Sequence, residues 1–324
     1  MLAVVYRKYG SPDVLEMRDL PKPVPADDEL LVKVAAASVN PADWHGFTGK
    51  PYLARMGKGW RTPKAGRVGV DFAGTVEAVG KDVTDFRPGD EVFGGRDGAL
   101  AEYVCVRAHR AVAPKPANVS FEHAASVAIA ATTALQALRD KGGMRPGYKV
   151  LINGASGGVG TFAVQIAKAF GAEEVTAVCS TRHVDIVASI GADHVVDYTR
   201  EDFARGGRRY DLAIHNAGSR PWSTYQRVLT PTAPLVFTGG PKKNRLYGPF
   251  GYMLRTRLRA SLNGRKVAIF IANLDKANME ALAELLETGK VVPVIDRRYK
   301  FSEVADAFRY LGEGHARGKI VVTM

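Results

Sequence analysis

The segment Tyr148-Lys-Val-Leu-Ile-Asn-Gly-Ala-Ser-Gly-Gly-Val-Gly160 runs an apolar strand into a glycine-rich turn and out into a helix. Beyond Gly160, Phe162, Ile166 and Phe170 recur at i, i+4 and i+8 with Ala163 and Ala167 beside them, and Gly171 stops the pattern. One face of that helix is therefore expected on a sheet. Gly157 lets backbone approach a pyrophosphate, Gly160 lets helix and strand pack closely, and the free N–H groups with the helix dipole favour an anion. Ala155 stands where the common fingerprint has its first glycine, and a glycine-rich bend alone also suits a turn with no ligand. Its place after a strand and before a helix, inside a βαβ unit of about 30 residues, points to a dinucleotide held by Ala155, Ser156, Gly157, Gly158, Val159 and Gly160.

Outward from this turn the pattern divides the chain. EVTAVCS, YDLAIHN and PLVFTGG alternate with segments of helical period as far as Gly240, which implies βαβ units and a parallel sheet. Upstream, from Met1 to about Pro116, the short runs LAVVY, ELLVKVAAASV, FAGTVEAVG, GDEVFG and AEYVCV are split by Gly, Pro and Asp and read as a β-rich domain. Toward the C-terminus, Met279, Leu282, Leu285 and Leu286 mark a helix before Gly289. Ser302 is the expected N-cap of another through Val304, Ala305, Phe308 and Leu311. The strands VVPVI and KIVVTM follow them.

Composition sets the class. A chain of 324 residues, 46% hydrophobic and 24% charged, buries a sizeable core and is expected to form two domains, which excludes a disordered, collagen-like or disulfide-stapled chain. Leu2 to Val5 is too short for a signal segment, and Ala124 to Leu138 is interrupted by Ser126, Thr132, Thr133 and Gln136 and falls short of the ~20 residues a bilayer needs. Cys105 and Cys179 match no metal or redox spacing, so a reducing, cytoplasmic setting is expected. The net charge of +12 invites an anionic partner, yet no nucleic-acid-binding pattern is present. Basic residues are spread along the chain, but Lys242 to Arg265 is unusually basic, with Lys243, Arg245, Arg255, Arg257, Arg259 and Arg265. Three arginines at spacing two suggest a solvated loop or dimer flank, or a surface for anionic substrate or lipid.

The strand VTAVCS ends in Ser180, Thr181 and Arg182. A carboxylate there would hold the ribose hydroxyl of NAD. With hydroxyls and a guanidinium instead, and no carboxylate to repel a 2′-phosphate, NADPH is expected over NADH, although Arg182 also suits a solvated helix start.

SVNPADWHGFTG at Ser38 to Gly49, GVDFAGTVEAVGKDVTDFRPGDEVFG at Gly69 to Gly94, INGASGGVG at Ile152 to Gly160, GADHVVDY at Gly191 to Tyr198, then GKVVPVID and EGHARGKIVV occur in this order along nearly the whole chain. In these pieces the chain resembles a medium-chain dehydrogenase/reductase, and more narrowly the zinc-independent quinone oxidoreductases. The resemblance implies an α/β fold. Its GroES-like β-barrel catalytic domain would comprise residues 1–116 and 267–324, and its Rossmann NADP-binding domain residues 117–266. It also implies an active site in the cleft between them, and a homodimer.

Zinc alcohol dehydrogenases of that superfamily place a ligand Cys three residues before an Asp and use a Gly-His-Glu triplet. Here Asn40 stands three before Asp43, the triplet reads Gly69-Val70-Asp71, and Ile129 to Thr132, where a third ligand would fall, offers neither Cys nor His. The four-Cys structural lobe is missing as well. Loss of a Lewis acid favours hydride transfer to a quinone or an α,β-unsaturated carbonyl, whose conjugation spreads the resulting charge. A zinc-free alcohol or carbonyl dehydrogenase and a non-catalytic NADPH-binding sensor are the alternatives.

Asn40 and Tyr52 are the candidate catalytic residues, Asn40 as an amide donor or ribose contact and Tyr52 as a hydroxyl donor. Asn40 otherwise suits a cap of its own loop and Tyr52 a packed aromatic. The resemblance adds Thr132, Tyr198, Asn216, Gly239 and Lys319 as cofactor contacts beside Ser180, Thr181 and Arg182.

Overall fold

In the computed structural model, which describes residues 1–324 except 56–58, 64–65, 242–245 and 247, the chain packs into two units, residues 1–132 with 273–324 and residues 133–272. Lys242, Lys243, Arg245 and Lys64 lie outside the described residues.

The first unit is strand-rich. Its leading strands are β1 (Leu2–Tyr6), β2 (Glu16–Asp19), β3 (Glu29–Val39), β4 (Gly66–Arg67), β5 (Asp71–Val79), β6 (Glu91–Gly95), β7 (Tyr103–Arg107) and β8 (Val112–Pro114). The last two, β15 (Ile295–Lys300) and β16 (Lys319–Thr323), come from the far end of the chain. They form a sheet of order β15-β16-β3-β5-β6-β8 with β7 also on β3, and a smaller sheet of order β2-β1-β4. The long strand β3 slips register against β5 near Val34, so Leu30, Val32 and Val34 join one apolar cluster while Ala37 and Val39 join another with Phe47 and Phe308. Helices α1 (Pro41–Thr48), α2 (Phe121–Ala124) and α3 (Ala128–Gln136) follow β3 and β8. α1 opens on Pro41, suited to its first turn, and Gly49 ends it in the left-handed region.

The second unit holds β9 (Lys149–Asn153), β10 (Glu174–Cys179), β11 (His194–Asp197), β12 (Leu212–His215), β13 (Leu235–Phe237) and β14 (Val267–Ile269). All pair in parallel, in the order β11-β10-β9-β12-β13-β14. That is the doubly wound Rossmann order, and its switch point lies between the carboxyl ends of β9 and β12. The helices are α4 (Gly158–Ala169), α5 (Val184–Ser189), α6 (Trp222–Val228) and α7 (Phe250–Ser261). The expected helix after the glycine turn is α4, with Phe162, Ala163, Ile166 and Ala167 fully buried; it starts two residues early, at Gly158.

Two expectations near the C-terminus are corrected. α8 (Lys276–Glu287) forms as expected, capped by Asp275, whose carboxylate accepts the Asn278 N–H. The strand after it is Ile295–Lys300 rather than VVPVI, since Pro293 has no N–H to give a ladder. α9 (Val304–Glu313) is preceded by a 3₁₀ turn over Phe301–Glu303, and Ser302 sits inside that turn instead of capping. The basic segment, expected as a loop, becomes α7 over Phe250–Ser261. Residues 267–269, expected with the first domain, are β14 and pair with β13, and Ile129 bonds Asp71 of the first unit, which draws α2 and the start of α3 to that unit.

No helix among the described residues is long and apolar enough to cross a membrane.

Candidate active site

In the first unit, the turn from β3 into α1 places Asn40 in a buried polar network. Its Nδ2 donates to Asp71 Oδ2 at 3.0 Å, and its Oδ1 accepts from the Lys319 ammonium at the head of β16. Lys319 Nζ also reaches Asp71 Oδ2 at 3.1 Å, and Ser38 Oγ donates to the same oxygen at 2.9 Å. Asp71 Oδ1 accepts the Ile129 N–H at 2.9 Å. Antiparallel pairing of β3 with both β5 and β16 creates this meeting, because Ser38 sits opposite Asp71 on one side and Val321 on the other. Asp71 has 0% and Lys319 3% of its surface exposed, so the ion pair is removed from water. The Asn40 side chain is turned into this network, and the capping of its own loop falls instead to Asp43, whose Oδ2 accepts the Asn40 N–H at 2.8 Å. Burial, followed by the Asp71 charge, pushes the Asp43 carboxyl up to about 7.

Tyr52 lies in a 3₁₀ turn, 36% exposed, with the Arg55 guanidinium 4.7 Å over its ring. Its ring is thus partly open and faces a cation. Thr132, in α3, is fully buried and its Oγ1 has no hydrogen-bond partner among the described residues.

In the second unit, the turn between β9 and α4 is built for close approach. A Cβ on Gly160 would come within 2.2 Å of the Gly154 carbonyl oxygen, whereas one on Gly157 would meet nothing nearer than 3.9 Å. Gly160 serves packing, and Gly157, the N-cap of α4 without a side-chain cap, leaves the helix mouth open to an anion. Ala155 is fully buried behind it, and Ser156 Oγ bonds His183 Nδ1 at 2.9 Å, tying the turn to the end of β10.

Asn216 and Gly239 close the far side of the switch point. Gly239 passes so near the Asn216 carbonyl that a Cβ would come within 2.2 Å of it. Asn216 Oδ1 accepts from Thr238 Oγ1, and its buried Nδ2 has no partner among the described residues. Beneath them, Asn153 Nδ2 donates to His215 Nδ1 at 3.1 Å and to the Ala217 carbonyl at 2.7 Å. His215 Nε2 meets the Gly218 carbonyl at 3.2 Å, so the proton sits on Nε2, and burial lowers this imidazole to about 4 and keeps it neutral. The cluster fixes the loop after β12.

At the end of β10 one sequence expectation fails. β11 lies beside β10 with Asp197 opposite Cys179, and the Asp197 carboxylate accepts from Thr181 Oγ1. A carboxylate therefore does stand at this strand end. Sequence reading missed it because it belongs to the neighbouring strand and arrives only through parallel register. Asp197 also accepts the Thr199 N–H at 3.0 Å and pairs with Arg200 at 3.5 Å; the Thr181 hydrogen bond above all holds its carboxyl below the usual range. Arg182 is exposed beside it and takes part in no ion pair among the described residues. Tyr198, 54% exposed, lines a cavity of 580 Å³ together with Arg200, Arg205, Arg208 and Arg220.

A six-stranded Rossmann sheet together with this strand-rich partner unit is the architecture of the medium-chain dehydrogenases and reductases. Residues 26–117 match the family model for the alcohol dehydrogenase GroES-like domain, and residues 190–322 that for a zinc-binding dehydrogenase. The chain is 34% identical to the chloroplastic quinone-oxidoreductase QR1 of Triphysaria versicolor, over 99% of its own length and 98% of that protein's. It is 35% identical to the mitochondrial NAD(P)H oxidoreductase RTN4IP1 of Mus musculus, over 100% of this chain and 89% of that one. The solved quinone oxidoreductase from Coxiella burnetii superposes with a TM-score of 0.86 at 29% identity, covering 100% of this chain and 99% of its own. The chain belongs to the medium-chain dehydrogenase/reductase superfamily, in its quinone-oxidoreductase-like branch.

The second unit's own residues fit a nicotinamide dinucleotide: an uncapped helix mouth, a glycine with open space before it, and a buried polar atom, Asn216 Nδ2, without a partner among the described residues. Those of the first unit do not fit the zinc that one matched family model names. Asn40 and Asp71 spend their oxygens on an ammonium, two N–H donors and a hydroxyl, and Val70 offers no donor. Among the described residues no three His, Cys, Asp or Glu side chains are grouped to hold a metal ion.

Proposed function

We propose that this chain is an NADPH-dependent oxidoreductase that reduces a quinone or an α,β-unsaturated carbonyl without a metal or a flavin. The observation that carries this reading is the Asn40–Asp71–Lys319 network, in which a fixed ammonium and its hydrogen-bond partners use the donors a metal would need. The reduced nicotinamide supplies hydride when bound.

The chain's own residues bind and orient. The mouth of α4, from Gly157 to Gly160 with Ser156 beside it, takes the pyrophosphate on backbone N–H groups and the helix dipole. Thr132, Asn216 and Gly239 hold the nicotinamide end, two of them through the partnerless polar atoms. Ser180, Thr181, Arg182 and Tyr198 receive the adenosine ribose and its 2′-phosphate. Asp197 opposes that phosphate less than a bare carboxylate would, because hydrogen bonds and Arg200 already satisfy it, and the arginines around Tyr198 add positive charge. Asn40 keeps one amide N–H beyond its bond to Asp71, available to an acceptor oxygen, and Lys319 positions that amide. Tyr52 is the proposed hydroxyl donor. Substrate is a small molecule, and the enzyme a homodimer, since β14 leaves one edge of the parallel sheet open to a second copy. Burial pushes both thiols, Cys105 and Cys179, up to about 11 and keeps them unreactive, and two free cysteines suit a reducing compartment such as the cytoplasm.

The test is NADPH oxidation with quinones, enones, aldehydes and, in reverse, alcohols, with metal analysis of the same preparation. Turnover on quinones or enones by zinc-free protein is expected. Stoichiometric zinc, or turnover on alcohols alone, would overturn the reading, and NADPH binding without turnover would make the chain a sensor. Arg182→Ala should weaken NADPH by about tenfold and NADH little, a guanidinium–phosphate pair being worth at least 1–2 kcal/mol; equal losses would remove the cofactor preference.

A further inference from the structure

Helix α7 has two apolar faces. Met253, Thr256 and Ala260 point into the unit, Met253 and Ala260 joining the core cluster beneath the parallel sheet, and Thr256 Oγ1 donates to the Tyr252 carbonyl. The opposite face should be polar in a helix packed on one side only. Instead Phe250, Leu254 and Leu258 recur at i, i+4 and i+8 there, and Leu262 follows at the cap, with exposures of 44%, 56%, 60% and 88%. At 100° per residue these four form one outward stripe, with Arg257 on one flank and Arg255 and Arg259 on the other. All three arginines are exposed, and none takes part in an ion pair among the described residues. From Phe250 to Lys266 there is no Asp or Glu.

An outward row of large apolar side chains between unpaired guanidinium groups has the pattern of a helix lying in a lipid interface, with leucines among the acyl chains and arginines at anionic headgroups. A second copy meeting the same face would bring two sets of three arginines together with no carboxylate on either helix, which like-charge repulsion opposes. A nucleic acid would use the arginines and leave the leucines in water. We propose that α7 is a docking surface for an anionic lipid bilayer, held by Phe250, Leu254, Leu258 and Leu262 with Arg255, Arg257 and Arg259. Such docking would bring the enzyme to the phase where apolar acceptors collect. It does not depend on which acceptor is reduced.

The test is sedimentation of the full chain with vesicles of phosphatidylcholine alone or with about 30 mol % phosphatidylglycerol. Binding to the anionic vesicles and about tenfold less to neutral ones is expected. Leu254→Ser/Leu258→Ser and, separately, Arg255→Gln/Arg257→Gln/Arg259→Gln should each lower binding about tenfold, while turnover with a water-soluble acceptor and the melting temperature stay at the parent values. Failure of the parent to bind, or binding that neither variant weakens, would overturn the proposal. A fall in solution mass in the leucine variant, without vesicles, would assign the face to a second copy and equally overturn it. Because vesicle binding is read without NADPH or substrate, its failure leaves the oxidoreductase reading untouched.

Discussion

Lys319 is the residue whose environment most constrains the first unit. Its ammonium is held by Asn40, 279 positions away, and Asp71, 248 positions away, in a site closed to water. A buried pair of this kind adds little net stability, yet removing one member strands the other charge. Lys319→Met should therefore lower the unfolding free energy by about 3–5 kcal/mol in urea titration. Lys319→Met/Asp71→Asn should recover part of that loss, because no charge is then left alone; a double variant no more stable than the single would show that packing, not charge, sets the cost. The position of Lys319 was legible from its motif. Its partners were not, since nothing local to GHARGK refers to Asn40 or Asp71. The same distance hid Asp197: VVDY was visible, but the hydroxyl it accepts from lies in the turn after β10, another strand.

At the scale of the element, the glycine turn and its helix were legible because their signals are local. A strand run, a backbone needing room and an apolar stripe ending at Gly171 all sit within a few turns of chain. The two glycines in that turn differ, and substitution should separate them. Gly160→Ala drives a Cβ onto the Gly154 carbonyl and should cost several kcal/mol of stability, on the order of an overpacked core. Gly157→Ala meets open space and should stay within about 1 kcal/mol of the parent in thermal melts. The same variant should weaken NADPH by about tenfold in titration calorimetry, its methyl group standing in the helix mouth. Retained affinity in Gly157→Ala would move the pyrophosphate away from that mouth. Helix starts and the strand after Gly289 were misjudged where one residue decides: Pro293 denies a ladder donor, and Ser302 yields to a preceding 3₁₀ turn.

For the whole molecule, two buried titrating groups in different units set opposing pH responses. Asp43 titrates at about 7 in the fold and at 3.8 unfolded, so the folded chain keeps a proton that the unfolded chain releases, and stability falls as pH rises from about 4 to about 7. His215 titrates at about 4 folded and 6.5 unfolded, so here the unfolded chain holds the extra proton, and stability falls as pH drops from about 6.5 to about 4. The two slopes nearly cancel across that window. Asp43→Asn should expose the His215 slope, to which His123, also lowered by burial, adds in the same direction, so stability should rise by at least about 3 kcal/mol from about pH 4 to 6.5 in urea midpoints. A profile parallel to that of the parent would show that Asp43 is ionised throughout.

The order of strands and helices, the dinucleotide turn and the superfamily were written in the chain itself, because alternation, helical period and glycine chemistry act between near neighbours. Tertiary structure alone decided which distant groups share a buried site, that a carboxylate stands at the end of β10, and that the leucines of α7 face outward. Those depend on register and on which face of an element meets the core, and both are settled only when the whole sheet packs.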